Sequence, residues 1–305
     1  MLDLRGSMVA LVTPMRNGAV DEGAFRSFVQ WQLEQGTDGL VPCGTTGEGA
    51  TLTLEETERV VRICVEVSHA HAKSLGPDVK HRPVIAGCGS NSTAKTLETI
   101  ARAKAAGADA ALVVTPYYNK PSQEGLYKHF EKVALEGGLP VVLYNVPSRT
   151  SVDMTADTVG RLSKVPGIVA IKEASGSIVR VAEIREKAEE KFIILAGDDM
   201  FTLPTLAMGG QGVISVVGNI APADLALLCD AFADGNLSVA QNQQVRFAPL
   251  VRAMFAETNP MPVKYALSRM GKMSGELRLP LVPVSEELGH RIDAALRAYG
   301  IPGIH

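Results

Sequence analysis

Eight short apolar runs punctuate the chain, at residues 8–12, 39–41, 84–86, 110–114, 141–144, 168–171, 192–196 and 213–217. Most are continuous rather than alternating, which is the pattern of strands covered on both faces, as in a parallel sheet flanked by helices. Between the runs, apolar positions recur at helical spacing. Phe25, Phe28, Val29 and Leu33 share one face of a segment that stops at Gly36, and Leu97, Ile100, Ala101 and Ala105 repeat the pattern before Gly107. Thr53 followed by Glu56 reads as a capping box whose helix continues through Val60, Val61, Cys64 and Val65. Each interval holds one strand, one helix and two loops. The longest also contains a polar stretch, 68–82, expected to be a surface excursion. Eight such units without a break in composition predict an α/β fold, a (β/α)8 TIM barrel. An open doubly wound sheet is the alternative, but no GxGxxG follows the first run, where a dinucleotide fold would place it.

Beyond the eighth run, helical patterns are expected over 237–255, 262–270 and 285–298, separated by Pro260, Pro280 and Pro283. The expected organisation is a barrel catalytic domain over 1–233 and a helical C-terminal region over 234–305 packed on it.

Composition narrows the class. With 30 Lys and Arg against 33 Asp and Glu, and a net charge of −3, there is no basic stripe, so nucleic acid is not expected as a partner. No apolar run is long enough to span a membrane, and the first residues carry an acid without an apolar stretch behind it, so neither a membrane anchor nor a signal peptide is expected. The four cysteines form no CxxC pair and read as reduced thiols; the six histidines lack paired-ligand spacing, so no metal is expected. The reading is a cytoplasmic enzyme acting on something small.

Barrel enzymes gather their chemistry at the C-terminal ends of the strands. Lys172 ends the run 168–171, and an amine shielded from water there is a candidate nucleophile that attacks a carbonyl and forms a Schiff base. A lysine that snorkels out of a strand end and pairs with Glu173 is the plainer alternative. Imine chemistry needs protons moved, and Tyr144, Tyr118 and Thr45 end other strands with hydroxyls that both donate and accept; taken singly, each tyrosine is as well explained as barrel-rim packing. The turn GTTGE at 44–48 offers backbone N–H groups and the hydroxyls of Thr45 and Thr46 to a small carboxylate. Arg149, past Pro147, suits forked capture of a second carboxylate, or a surface ion pair. Asp198 and Asp199 read as helix caps rather than metal ligands.

These residues lie in stretches that match a known family. GTTGE at 44–48, TPYYNKPSQEGLY at 115–127, YNVPSRT at 144–150, VAIKEASG at 169–176, GDD at 197–199, GVISV at 212–216 and NPMPVK at 259–264 span nearly the whole chain in family order. The sequence resembles the dihydrodipicolinate synthase family of pyruvate-dependent class I aldolases. The resemblance implies that Lys172 forms the Schiff base with pyruvate, held covalently as substrate with no further cofactor. It implies that Tyr144 moves protons over that imine in a relay with Thr45 and Tyr118, the last reaching into a neighbouring subunit's site. Thr45 and Thr46 would bind the pyruvate carboxylate, Gly197 and Ile214 would line the site through backbone carbonyls, and Arg149 would hold the carboxylate of L-aspartate 4-semialdehyde. The implied product is (4S)-4-hydroxy-2,3,4,5-tetrahydrodipicolinate, on the route to diaminopimelate and lysine, and the implied assembly is a homotetramer built as a dimer of dimers. Lysine-inhibited members carry histidines where this chain has Leu54 and Thr57 and a glutamate where it has Lys95, while Tyr117 and Asn91 remain. Weak or absent lysine inhibition is therefore expected, because Lys95 would repel the ligand's ammonium. The alternatives are a relative such as N-acetylneuraminate lyase or a 2-keto-3-deoxy sugar acid aldolase, and a non-catalytic protein on the same scaffold.

Overall fold

The computed structural model describes residues 2–304. Eight parallel strands form one sheet: β1 (Gly6–Ala10), β2 (Gly39–Val41), β3 (Ile85–Gly87), β4 (Ala110–Val114), β5 (Val141–Asn145), β6 (Ile168–Glu173), β7 (Ile193–Ala196) and β8 (Gly212–Ser215). Neighbours pair in the order β2-β1-β8-β7-β6-β5-β4-β3. A bridge between Leu40 and Val84 joins the two ends and closes the ring. The continuous apolar runs now have a physical explanation, because alternate residues feed two separate cores. Met8, Ala10, Val41, Ile85, Leu112, Val142, Tyr144, Ala170, Leu195 and Ile214 fill the barrel interior, while Val9, Leu40, Ala86, Val113, Leu143, Ile171 and Ile194 pack against the surrounding helices. The first and last runs extend past their strands. Leu11, Val12, Val216 and Val217 stay buried, yet they lie beyond the last paired residues of β1 and β8.

The outer layer comprises α1 (Glu22–Glu34), α2 (Leu54–Leu75), α3 (Thr93–Ala105), α4 (Gln123–Gly137), the single turn α5 (Pro147–Thr150), α6 (Ala156–Leu162), α7 (Ile178–Lys187), α8 (Thr202–Ala207) and α9 (Pro222–Ala233). The expected capping box opens α2: the Thr53 side chain accepts from the Glu56 backbone N–H, and Glu56 returns the bond to Thr53. The expected excursion is shorter than its polarity suggested. Residues 68–75 continue α2, because Ser68 and Ala72 stay on its buried face, and the helix ends only at Gly76. Past α9 the chain adds α10 (Leu237–Met254), α11 (Met261–Arg269) and α12 (Glu286–Tyr299). Helix α10 packs on α9 and α12, and α11 on α12. The segment leading into α11 reaches the strand ends, where it matters most. Among the described residues no helix is long and apolar enough to cross a membrane.

Candidate active site

The floor of the site is built by two adjacent strands. In the β5–β6 pairing Tyr144 lies opposite Lys172 and Asn145 opposite Glu173. Side chains alternate across a strand, so the first pair turns into the barrel and the second toward the helices. Lys172 is 5% exposed and Tyr144 7%. The Lys172 Nζ stands 4.5 Å from the centre of the Tyr144 ring, where the ring's negative face attracts a cation. Both residues stand at the C-terminal end of their strands, the end at which a barrel exposes its chemistry.

The rim is built by loops and needs distant help. In the 44–48 turn the chain passes through left-handed conformations at Cys43 and Glu48. Gly49 must be glycine, because a Cβ there would come within 2.1 Å of the Cys43 carbonyl oxygen. The Thr13 hydroxyl donates to the Gly47 carbonyl at 2.7 Å. The Thr46 hydroxyl accepts from the Asn259 side-chain amide at 2.9 Å, and the Asn259 carbonyl accepts from the Arg149 guanidinium at 3.0 Å. One residue ahead of α11 thus contacts both groups expected to bind carboxylates. Behind the turn, Glu48 accepts from Lys264 Nζ at 2.5 Å, with both side chains fully buried, and from the Arg278 backbone N–H at 3.1 Å. The Arg278 guanidinium forks onto Glu56 at 2.5 and 2.7 Å and, through those hydrogen bonds, holds the Glu56 carboxyl down to about 2.

Floor and rim enclose a cavity of about 740 Å³ lined by Thr45, Glu48, Tyr144, Arg149 and Asn259, within the usual range for small-ligand sites. The same cavity extends to Leu54, Thr57, Lys95 and Tyr117. Of the residues expected to carry the chemistry, Thr45, Tyr144 and Arg149 line it; Lys172 does not, and stands behind the Tyr144 ring at 4.5 Å from its centre. Thr46 is buried against Asn259. Ile214 is fully buried in the barrel interior, and Gly197 donates its N–H to the Glu173 carbonyl at 2.8 Å; neither lines the cavity. Tyr118 is not drawn in at all: it is 88% exposed, with a left-handed backbone. The adjacent acids divide their work. Asp198 caps the turn after β7 through the Met200 N–H. Asp199, buried, accepts from the Ser215 hydroxyl and from the N–H groups of Val216 and Val217, and burial pushes its carboxyl up to about 6. Asn259, Lys264 and Arg278 were not singled out from sequence. The first two belong to the NPMPVK stretch, and a lysine set among Val263, Ala266 and Leu267 on a helix was the available sign of a buried ion pair. Among the described residues, no group of three His, Cys, Asp or Glu is placed to hold a metal ion.

The chain is similar along nearly its whole length to known proteins. A relative from Oleidesulfovibrio alaskensis, a 4-hydroxy-tetrahydrodipicolinate synthase, is 52% identical over 94% of this chain and 95% of its own. The crystal structure of dihydrodipicolinate synthase from Aquifex aeolicus superposes with a TM-score of 0.93 at 41% identity, covering 98% of this chain and 99% of that one. The Acinetobacter baumannii enzyme complexed with pyruvate gives 0.92 at 40% identity, over 98% of this chain and 100% of that one. The sequence profile of the dihydrodipicolinate synthetase family matches residues 3–299, and the chain belongs to that family.

Proposed function

We propose that the chain is a 4-hydroxy-tetrahydrodipicolinate synthase that joins pyruvate to L-aspartate 4-semialdehyde through a Schiff base on Lys172. The observation that carries the reading is the in-register pair at the strand ends, with Lys172 Nζ 4.5 Å from the Tyr144 ring beside a cavity that Arg149 and Thr45 line. The neutral Lys172 amine attacks C2 of pyruvate. The carbinolamine loses its oxygen as water, with Tyr144 supplying the proton, and an Nζ–C2 imine remains. The tyrosinate left by that step takes a methyl proton, which gives the enamine; the enamine carbon attacks the aldehyde, and the new alkoxide takes the proton back from Tyr144. The substrate's own amine then attacks the imine carbon and displaces Lys172, which closes the ring and frees the enzyme. The product is (4S)-4-hydroxy-2,3,4,5-tetrahydrodipicolinate.

In this reading Thr45 and Thr46 bind the pyruvate carboxylate and Arg149 the carboxylate of the second substrate; Gly197 and Ile214, which do not line the cavity, are left without a role in it. No cofactor takes part, since the lysine imine itself is the electron sink. Tyr118 points into solvent in a single chain and serves a second copy's relay, so a dimer is the smallest active unit and two dimers form the tetramer. A cytoplasmic setting, and weak lysine inhibition with Thr57 and Lys95 in the cavity wall, belong to the same reading. Borohydride reduction with pyruvate tests it. The wild type should gain a reduced pyruvyl group on Lys172 and Lys172→Ala none; an adduct on another lysine, or none in the wild type, overturns the mechanism.

A further inference from the structure

Immediately beyond the Tyr144–Lys172 pair, the next two residues of the same strands form a second cross-strand pair that faces away from the cavity. Asn145 is fully buried, and both of its amide protons and its carbonyl oxygen are hydrogen-bonded. Its amide donates to Glu173 Oε2 at 3.1 Å and to Asp153 Oδ1 at 2.9 Å, and its carbonyl oxygen accepts from the Met154 N–H at 3.0 Å. Glu173, 6% exposed, uses its other oxygen to accept from the Ser175 N–H at 2.7 Å. Asp153 is gripped in addition by the Arg180 guanidinium, with two bonds of 3.0 Å. One amide therefore fastens the end of β5 to the end of β6, and fastens the segment that follows Arg149 back onto β5.

We propose that Asn145 is a positioning residue for the condensation: its hydrogen bond to Glu173 fixes how Tyr144 stands over Lys172, and its bonds to Asp153 and Met154 fix the base of the Arg149 turn. The inference rests on the Schiff-base reading above and adds to it a group that touches no substrate. Its chemistry is restrictive. The site asks for two donors toward carboxylates and one acceptor toward a backbone N–H, which an amide supplies and an acid, alcohol or alkyl group does not. An ionised aspartate here would face the Glu173 and Asp153 carboxylates without a donor, and could bridge to either only where the pair takes up a proton.

A donor–acceptor exchange provides the test. In Asn145→Asp two acceptors face each other across the strands. In the double variant Asn145→Asp with Glu173→Gln, the glutamine amide donates to the aspartate while its oxygen still accepts from Ser175, so the cross-strand bond returns with its polarity reversed. The expected result for N145D is a kcat reduced on the order of 10²-fold, as for a reacting group misplaced by about an ångström, with KM for pyruvate nearly unchanged, a wild-type oligomeric state and a lowered melting temperature, because a buried acid then faces two others. The double variant should recover part of the lost kcat, because it restores the bond across the strands while the aspartate still faces Asp153. Wild-type kcat in N145D, or a double variant no better than the poorer single one, overturns the proposal. A kcat that returns to the wild-type value when each variant is assayed well below its own melting temperature also overturns it, because the role is then only structural. Should N145D not fold, E173Q and the double variant carry the comparison, and the double must exceed E173Q in kcat. Borohydride trapping of pyruvate on the wild-type enzyme is run alongside. Its failure sinks the Schiff-base reading, whereas a trapped wild type with unaffected variants sinks this inference alone.

Discussion

The floor and the rim of the cavity are made in opposite ways. Tyr144 and Lys172 come from neighbouring strands whose pairing continues through Asn145 and Glu173, so their relation is set by a short-range ladder. Thr46, Glu48 and Arg149 sit on turns, and each is held by the segment around α11, more than one hundred residues away along the chain. In the proposed mechanism the strand-built part carries the reacting atoms, where small displacements cost most, and the loop-built part meets the substrate carboxylates, where a remote clamp suffices. The helices after the barrel are therefore part of the site's construction.

Two substitutions should separate the parts. Tyr144→Phe removes a proton carrier from the floor and keeps the ring over Lys172. We expect kcat to fall on the order of 10²–10⁴-fold, with pyruvate still trapped by borohydride; near-normal turnover would remove the tyrosine from the relay. Lys264→Met strikes the rim from behind. It leaves the Glu48 carboxylate fully buried without its partner, which should cost about 3–5 kcal/mol of stability in chemical denaturation. The equivalent loss at the exposed Lys187–Asp157 pair should be far smaller, because solvent screens that pair. If Lys264→Met is as mild as that surface change, the clamp is not what holds the turn.

A third measurement tests whether acid sensitivity belongs to either part. His129 on α4 lies outside both, 7% exposed, with Nδ1 2.9 Å from the Thr93 hydroxyl and a buried Nε2 that has no partner. Burial pulls its pKa from 6.5 down to about 4. The folded chain therefore binds that proton less readily than the unfolded chain. Stability is complete above pH 6.5, declines as pH falls below it, and levels off below pH 4, a change of about 3 kcal/mol. His129→Gln should flatten this dependence in denaturation curves taken between pH 4 and 7. An unchanged slope would move the acid sensitivity to other groups, with Asp199 excluded by sign: its carboxyl is pushed up, so it favours the folded state at low pH.

The floor was legible in the sequence and much of the rim was not, for a physical reason. A doubly buried strand announces itself by a continuous apolar run, and a lysine interrupting such a run stands out, so the end of β6 and Lys172 could be read from neighbouring residues alone. Barrel closure followed from counting units of the same kind. The contacts of Asn259 and Lys264 join positions more than two hundred residues apart, and no local pattern encodes which loop a distant helix will meet. The family motif marks that stretch without saying what it does. The polar stretch at 68–82 was read as loop because its outward-facing histidines and lysine dominate, while the inner face that keeps α2 going rests on small residues, Ser68 and Ala72. Tyr118 is legible only through the family, since in one chain it faces solvent.

The closure of the ring between β2 and β3 has a mechanical consequence. Strands β5 and β6 are laced along five residue pairs. The β2–β3 joint has one bridge, Leu40 with Val84, flanked by Leu40 N–H to the Pro83 carbonyl and Gly87 N–H to the Pro42 carbonyl, each 2.9 Å. That joint borders the cavity, whose wall includes Cys43, Gly87 and Cys88. A ring with one lightly stitched seam yields there first, because local opening costs least where the fewest bonds must break. Give in the cavity wall is therefore expected first at this joint, on the side of the ring away from Lys172, where the strands are laced most firmly.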